Sequence, residues 1–386
     1  MVANPNNPSQ LVITGPTADC SSPGFYFSAD GGSRWSPSCA PPIPYLDGQV
    51  VGYDLNNTVY GGGTSEELVL YLAFSKDNGA TWSHLKAVDA NGLGLLWPHM
   101  AVDTNPLSAF ANRLYIASLH GGVYSTGTRV HLSFSGDGGQ HWAGKNLDQW
   151  QFPNIDAFPY LSVGGGGEVY MTWMRCKAQY DYGPCKRTGN PILLSKSSDG
   201  GTTWSTPIVI AKINLPPDKC LYGCLPNTGA VGLTLTPVSA VFGSGPTERI
   251  SVAYSTWTGT QLQIAVVTSI DGGNSFGAPV RVSSNSNFGD QFLPWISASQ
   301  DGSLAVTWLD RRNDPANLLY QPFLATSRDG VIFGKSQILS PSMSNPSGFW
   351  DFFLPAPGVW VGRTFYASWA DNSTGIFHTD LGGAQF

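Results

Sequence analysis

Three aspartates of this chain, Asp156, Asp290 and Asp310, stand in stretches crowded with arginine and aromatic residues. Asp156 opens a run that ends at Tyr160, Asp290 opens one that ends at Trp295, and Asp310 is followed directly by Arg311 and Arg312. Another stretch carries Arg175, Tyr180, Tyr182 and Arg187. In a chain with only 12% charged residues, these concentrations are the parts of a sugar site. Two carboxyl groups can cleave a glycosidic bond, one giving the proton and the other attacking or activating water. Guanidinium forks take carboxylates through two parallel bonds, and aromatic rings cover sugar faces. Asp310, Asp156 and Asp290 are therefore the candidate catalytic acids. Arg175, Arg187, Arg311, Arg312, Tyr180, Tyr182 and Trp295 are the candidate substrate-binding residues.

Each group also has a structural reading. Asp156 and Asp290, like Asp351, precede an apolar run, where an aspartate caps a turn. Asp310 beside two arginines makes a local ion pair. Trp173, Trp257, Trp308 and Trp369 recur at the ends of similar runs, as packing residues would. Other chemistries lack their parts: there is no His-Glu-x-x-His, no Gly-x-Ser-x-Gly and no phosphate-binding loop, and the six histidines have no metal-ligand spacing. No metal and no cofactor are expected.

A repeat positions these groups. The pattern Ser-x-Asp-x-Gly-x-x-aromatic occurs from Ser28 to Trp35, Ser75 to Trp82, Ser135 to Trp142, Ser197 to Trp204 and Ser269 to Phe276. A shortened copy runs from Ser327 to Phe333. Each follows an alternating apolar run, such as Val130 to Phe134, that reads as a strand, and Asp-Gly is strong hairpin-turn chemistry. The carboxylate accepts backbone N–H groups of its own turn, glycine supplies positive φ, and the aromatic folds back over the turn. A catalytic aspartate has no reason to appear six times, so Asp30, Asp77, Asp137, Asp199, Asp271 and Asp329 are structural. The alternating oxygen ligands and closing glutamate of a calcium loop are missing.

The six copies resemble the Asp boxes, or bacterial neuraminidase repeats, of the sialidase-like β-propellers, and their spacing covers nearly the whole chain. The resemblance implies an all-β propeller of four-stranded antiparallel blades, one domain over residues 1–386, with seven blades and six as the alternative. It also implies that the boxes lie on one face, while second-to-third-strand loops and the links between blades build a binding face opposite. That rule gathers Arg175 to Arg187, Asp310 to Arg312 and the links bearing Asp156, Lys219, Asp290 and Asp351 around one depression. The activity implied is that of a sialidase-like glycoside hydrolase acting on glycans; the alternative is a noncatalytic, lectin-like propeller that binds glycan or protein. The arginine triad of sialidases cannot be assigned: no arginine precedes Arg34, and Arg34 belongs to a box.

Seven strand sets can be written. In the fifth the first strand is placed at Val231 to Leu235; in the seventh the third strand is Gly375 to His378, and Thr379 to Gly383 is a decayed box. The seventh lacks an outer strand, to be supplied by the N-terminus or an upstream segment.

A net charge of -6 argues against nucleic acid and anionic membrane surfaces, and no run is long enough to cross a bilayer. The expected partner is a glycan or glycoconjugate; oligomeric state is not readable. The six cysteines fall into the sequence-local pairs Cys20 with Cys39, Cys176 with Cys185 and Cys220 with Cys224, against a zinc site from the later four. Disulfides fit a secreted, extracellular chain, and the start from Met1 has no signal-peptide pattern, as in a mature protein.

Overall fold

The computed structural model describes residues 1–15, 20, 24–43, 47–88, 95–120, 128–148, 153–178, 184–217, 220–228, 231–233, 235–283, 289–346, 357–375 and 378–386. Tyr180, Tyr182, Lys219 and Asp351 lie outside these residues.

The chain is an all-β propeller of seven antiparallel blades, the larger of the two counts expected. The first sheet comprises Val2–Ala3, Leu11–Thr14, Gly24–Ser28 and Ser36–Cys39; the second comprises Asp47–Tyr53, Val59–Thr64, Leu70–Ser75 and Lys86–Ala87. The third runs through Leu95–Val102, Leu114–His120, Arg129–Ser135 and Ala143–Asn146, and the fourth through Asn154–Val163, Val169–Lys177, Asn190–Ser197 and Ile208–Ile213. Val238–Phe242, Arg249–Trp257, Leu262–Ser269 and Val280–Arg281 form the fifth, and Gln291–Ala298, Leu304–Asp310, Gln321–Ser327 and Gln337–Ile338 the sixth. Gly358–Val361, Thr364–Asp371 and His378–Gln385 form a three-stranded seventh. Second strands are the most deeply buried: all seven residues of Leu114–His120 and of Leu304–Asp310 are buried. Runs buried on both faces read as continuous apolar sequence, which is why these strands were visible.

Two compact units divide the chain. One takes Met1–Gln151, Pro159–Met171 and Ser195–Thr206; the other takes Phe152–Phe158, Thr172–Leu194 and Pro207–Phe386. In the first, Val12, Phe25, Tyr53, Val59 and Ala73 form one apolar cluster, and Leu70, Leu72, Leu95, Leu114 and Ile116 belong to another. In the second, Ala305, Leu324, Phe365 and Ala367 pack together.

The boxes join third to fourth strands and are closed by their own side chains. Ser135 Oγ donates to Asp137 Oδ1 at 2.8 Å and accepts Gly139 N–H at 2.9 Å, while Asp137 Oδ1 accepts His141 N–H at 3.0 Å. The same serine-to-aspartate bond recurs at Asp30, Asp77, Asp199, Asp271 and Asp329. Gly139 sits at φ 80°, in the left-handed region that a side chain would strain. Arginines at the starts of second strands fasten the boxes: Arg113 Nη1 donates to Gly200 O at 2.7 Å, and Arg249 Nη1 to Arg328 O at 2.6 Å.

Three expectations are corrected. Val231 to Leu235 is not a strand of the fifth sheet; Leu225 and Leu233 N–H groups donate to Val231 O and Gly223 O, which folds this segment against the Cys220–Cys224 loop, and the strand begins at Val238. Thr379 to Gly383 is no box but the body of the third strand His378–Gln385, where Asp380 pairs Trp369 and Gly383 pairs Tyr366. The N-terminal residues Val2 and Ala3 pair with Val12 and Leu11 in the first sheet rather than completing the seventh.

All three expected disulfides are present: Cys20–Cys39, Cys176–Cys185 and Cys220–Cys224. None of the described residues forms a cluster of three or more metal-ligating side chains, and no helix among them is long and apolar enough to cross a membrane.

Candidate functional site

The nominated acids and arginines that the structure describes all belong to the second unit, and the acids separate into three carboxylate–guanidinium pairs. In the fourth sheet, Asp156 on the first strand meets Arg175 on the second. Arg175 Nε donates to Asp156 Oδ1 at 2.7 Å and Nη2 to Oδ2 at 2.9 Å, the parallel fork that guanidinium geometry favours. The Asp156 side chain is 5% exposed and that of Arg175 22%, so the pair reaches solvent through the arginine. Burial pushes the Asp156 carboxyl up to about 8, opposed by the Trp173 indole; burial also lowers Arg175. Trp173 itself is fully buried, as its packing role required.

Local strand geometry aims these groups. Phe158, two residues after Asp156, has φ 56° and precedes Pro159; Leu293 has φ 53° and precedes Pro294. In the sixth sheet this coincides with a register shift between Phe292 and Trp295, a bulge of the kind that re-aims side chains. Beyond Arg175 the chain is pinned by Cys176–Cys185, by an Ala178 to Cys185 bridge and by Cys185 N–H donating to Leu221 O at 2.9 Å. The Cys220–Cys224 loop is thus stitched to the loop bearing Arg187, which is exposed.

The other two acids are more deeply committed. Asp290 Oδ1 accepts Leu262 N–H at 2.9 Å, its Oδ2 accepts Asn317 Nδ2 at 2.7 Å, and Arg311 Nη1 lies 3.6 Å from Oδ2. Arg311 is fully buried, donates to Pro226 O at 2.7 Å, and burial lowers it to about 10. Asp310 Oδ2 accepts Trp308 Nε1 at 2.6 Å and Arg312 Nη2, and Oδ1 accepts Arg312 N–H at 2.8 Å. Arg312 reaches Ser283 Oγ at 2.7 Å and Ser336 Oγ at 3.2 Å beside the outer strands of the fifth and sixth sheets, with its guanidinium 4.3 Å from the Phe323 ring centre. Trp295 Nε1 donates to Gly358 O at 3.1 Å, tying the sixth sheet to the seventh.

Two ring stacks of the first unit join residues from different strands, His99 and Tyr160 on the first strands of the third and fourth sheets and His120 and His131 on neighbouring strands of the third. His99 stacks on Tyr160 with ring centres 3.7 Å apart and accepts Leu161 N–H on Nδ1 at 3.2 Å; His120 stacks on His131 at 3.9 Å. Burial lowers His99 to about 3 and His131 to about 4. Nothing in the spacing of the histidines signalled these stacks, because each forms between strands.

The fold and these pairs can be set beside known proteins. No curated protein sequence matches the chain. Among solved structures, an α-L-arabinanase of Penicillium chrysogenum complexed with arabinobiose aligns over 98% of both chains at 14% identity and a TM-score of 0.56. A GH93 α-L-arabinofuranosidase of Fusarium graminearum with arabinobiose covers 89% of this chain and 95% of its own at 13% identity, TM-score 0.54. A protein of unknown function from Dyadobacter fermentans covers 88% and 94% at 14% identity, also with a TM-score of 0.54. At such identities the likeness is one of fold. The family profile described as BNR repeat-like domain matches residues 55–306, well over half of the sequence, and with the boxes closed as described the chain belongs to that family of sialidase-like β-propellers.

Proposed function

We propose that the chain is a secreted, carbohydrate-active propeller that cleaves glycosidic bonds in glycans, with Asp156 and Arg175 at the centre of its site. The observation that carries this reading is the buried carboxyl of Asp156, raised to about 8 and held by a partly exposed guanidinium. A glycosidase needs an acid that keeps its proton near neutral pH until the leaving oxygen takes it. Burial keeps the Asp156 carboxyl protonated up to about pH 8 even with Arg175 beside it, so the guanidinium orients the acid and meets a sugar carboxylate or hydroxyl while Asp156 gives its proton to the leaving oxygen. Asp310 and Asp290 then serve as the remaining candidates for the second carboxyl, with Arg187, Arg311, Arg312, Tyr180, Tyr182 and Trp295 as the binding candidates. Fold neighbours, an arabinanase and an arabinofuranosidase each complexed with arabinobiose, support a glycan as substrate class, and three disulfides support secretion.

The noncatalytic reading is favoured by a different observation: the oxygens of Asp290 and Asp310 are already occupied by protein donors. Exposure to a panel of fluorogenic glycosides, arabinofuranosides and sialosides included, with binding followed in parallel by calorimetry, separates the two. Release of fluorophore from at least one glycoside is expected. Saturable glycan binding with no release on any of them selects the lectin-like reading.

A further inference from the structure

A cavity of about 630 Å³ opens beside the first two boxes, lined by residues that include Asn7, Gln10, Phe27, Asn57, Lys76 and Asn78, all within the first unit. Its chemistry is set by Asn4, which is 1% exposed. Asn4 Nδ2 donates to Gln10 Oε1 at 2.6 Å and to Asn57 Oδ1 at 3.0 Å, and Asn6 Nδ2 donates to the same Asn57 oxygen at 3.2 Å. Asn7 Oδ1 accepts Ser9 N–H at 3.3 Å. An amide carries its oxygen and its nitrogen on opposite arms, so fixing the oxygens inward turns the NH₂ groups outward. Among the described residues no acceptor meets Gln10 Nε2, Asn57 Nδ2, Asn7 Nδ2 or Lys76 Nζ. The carboxylate on the wall, Asp77, is already engaged by Ser75 Oγ at 2.7 Å, Thr81 N–H at 2.9 Å and Thr81 Oγ1 at 2.6 Å. Asn6 is turned the other way, its Nδ2 donating to Leu55 O and Asn57 Oδ1, so its Oδ1 is an amide acceptor on the wall; against it the cavity offers three amide donors and one ammonium beside the half-buried ring of Phe27.

We propose that this cavity is a second carbohydrate site, sharing no residue with the Asp156 pair, and that it takes a saccharide unit bearing a carboxylate, a uronate. A carboxylate accepts several bonds and gives none, which matches outward NH₂ groups and Lys76, and the C–H face of the sugar packs on Phe27. A neutral sugar hydroxyl donates as well as accepts, and its donor half finds few free partners here. This inference stands whether or not the chain cleaves glycans, because its readout is binding.

The test is calorimetric titration with digalacturonate and with cellobiose, on the wild type, Asn57→Asp and Lys76→Gln, each checked by a thermal melt. Asn57→Asp keeps the oxygen that Asn4 and Asn6 use but replaces the outward NH₂ with a second oxygen. The wild type should bind digalacturonate saturably and at least about tenfold more tightly than cellobiose, as charge-assisted bonds require. Asn57→Asp should weaken it by about tenfold or more, and Lys76→Gln by several-fold at low salt. If Asn57→Asp fails to fold, exposed Lys76→Gln decides the matter. No saturable uronate binding, equal or tighter cellobiose binding, or unchanged affinity in the folded variants overturns the proposal.

Discussion

Arg175 grips Asp156 through two parallel hydrogen bonds, Nε to Oδ1 at 2.7 Å and Nη2 to Oδ2 at 2.9 Å, across two strands of the fourth sheet. The acid is buried enough that its ionised form depends on this counter-charge. An unfolded aspartate titrates near about 3.9. Folded Asp156 is raised to about 8, so the folded state binds the extra proton between these values and stability falls as pH rises through the window. Arg175→Met removes the counter-charge, raises the folded value further and should extend that fall above pH 8. Melting temperatures measured from pH 4 to pH 10 follow it directly. A flat profile for Arg175→Met, or one that Asp156→Asn fails to flatten, would sink the assignment.

Asp290 and Arg311 predict a different outcome. Removing the carboxylate in Asp290→Ala leaves fully buried Arg311 unpaired and takes the acceptors from Leu262 N–H and Asn317. A loss of about 3–5 kcal/mol is expected in chemical denaturation. A variant as stable as the wild type would show that the pair is not structural and would return Asp290 to the front of the catalytic candidates.

The boxes were legible because repetition separates structural from catalytic aspartates, and their bonds now give that reading a measurable form. Backbone and side-chain donors hold Asp199 and Asp271 at about 2, below an unfolded aspartate. Their contribution is present above the unfolded value and is lost as pH falls from about 4 toward about 2. Asp137→Ala removes the acceptor for Gln140, His141 and Ser135 donors and should cost about 1–2 kcal/mol while the folded fraction keeps its activity. A well-folded Asp137→Ala protein without activity would contradict the structural role.

What could not be read follows from distance along the chain. The blades announce themselves through local period and turn chemistry, so five of the seven sheets follow the expected strand sets closely, and the fifth and seventh depart from them in one strand each. Val231 to Leu235 has the same apolar alternation but is held by bonds to the Cys220–Cys224 loop, which a periodic pattern does not encode. Glycines at 382 and 383 look like turn residues, yet they lie in a strand, Gly382 beneath Trp369, where an added Cβ would come within 2.8 Å of the ring. Asp310 with Arg312 was visible as a neighbouring pair, whereas Asp156 with Arg175 spans 19 residues and exists only because two strands lie side by side.

The disulfides provide a check on the loop that bears Arg187. Mass mapping of the nonreduced protein should recover Cys20 with Cys39, Cys176 with Cys185 and Cys220 with Cys224. The Cys176→Ala, Cys185→Ala double variant should lose about 2–4 kcal/mol and glycan affinity together, since the loop is pinned through Cys185. Free thiols, or stoichiometric zinc, would refute the pairing.

Turnover by wild type and Asp156→Asn on whichever glycoside the panel shows to be cleaved decides whether this propeller does its chemistry at the Arg175 pair. Asparagine keeps the shape and an acceptor for the guanidinium but cannot give a proton. The substitution should lower kcat about 10²–10⁴-fold, the range of a positioned general acid, with the fold confirmed by its melt. A folded Asp156→Asn protein that turns over at the wild-type rate would contradict the assignment.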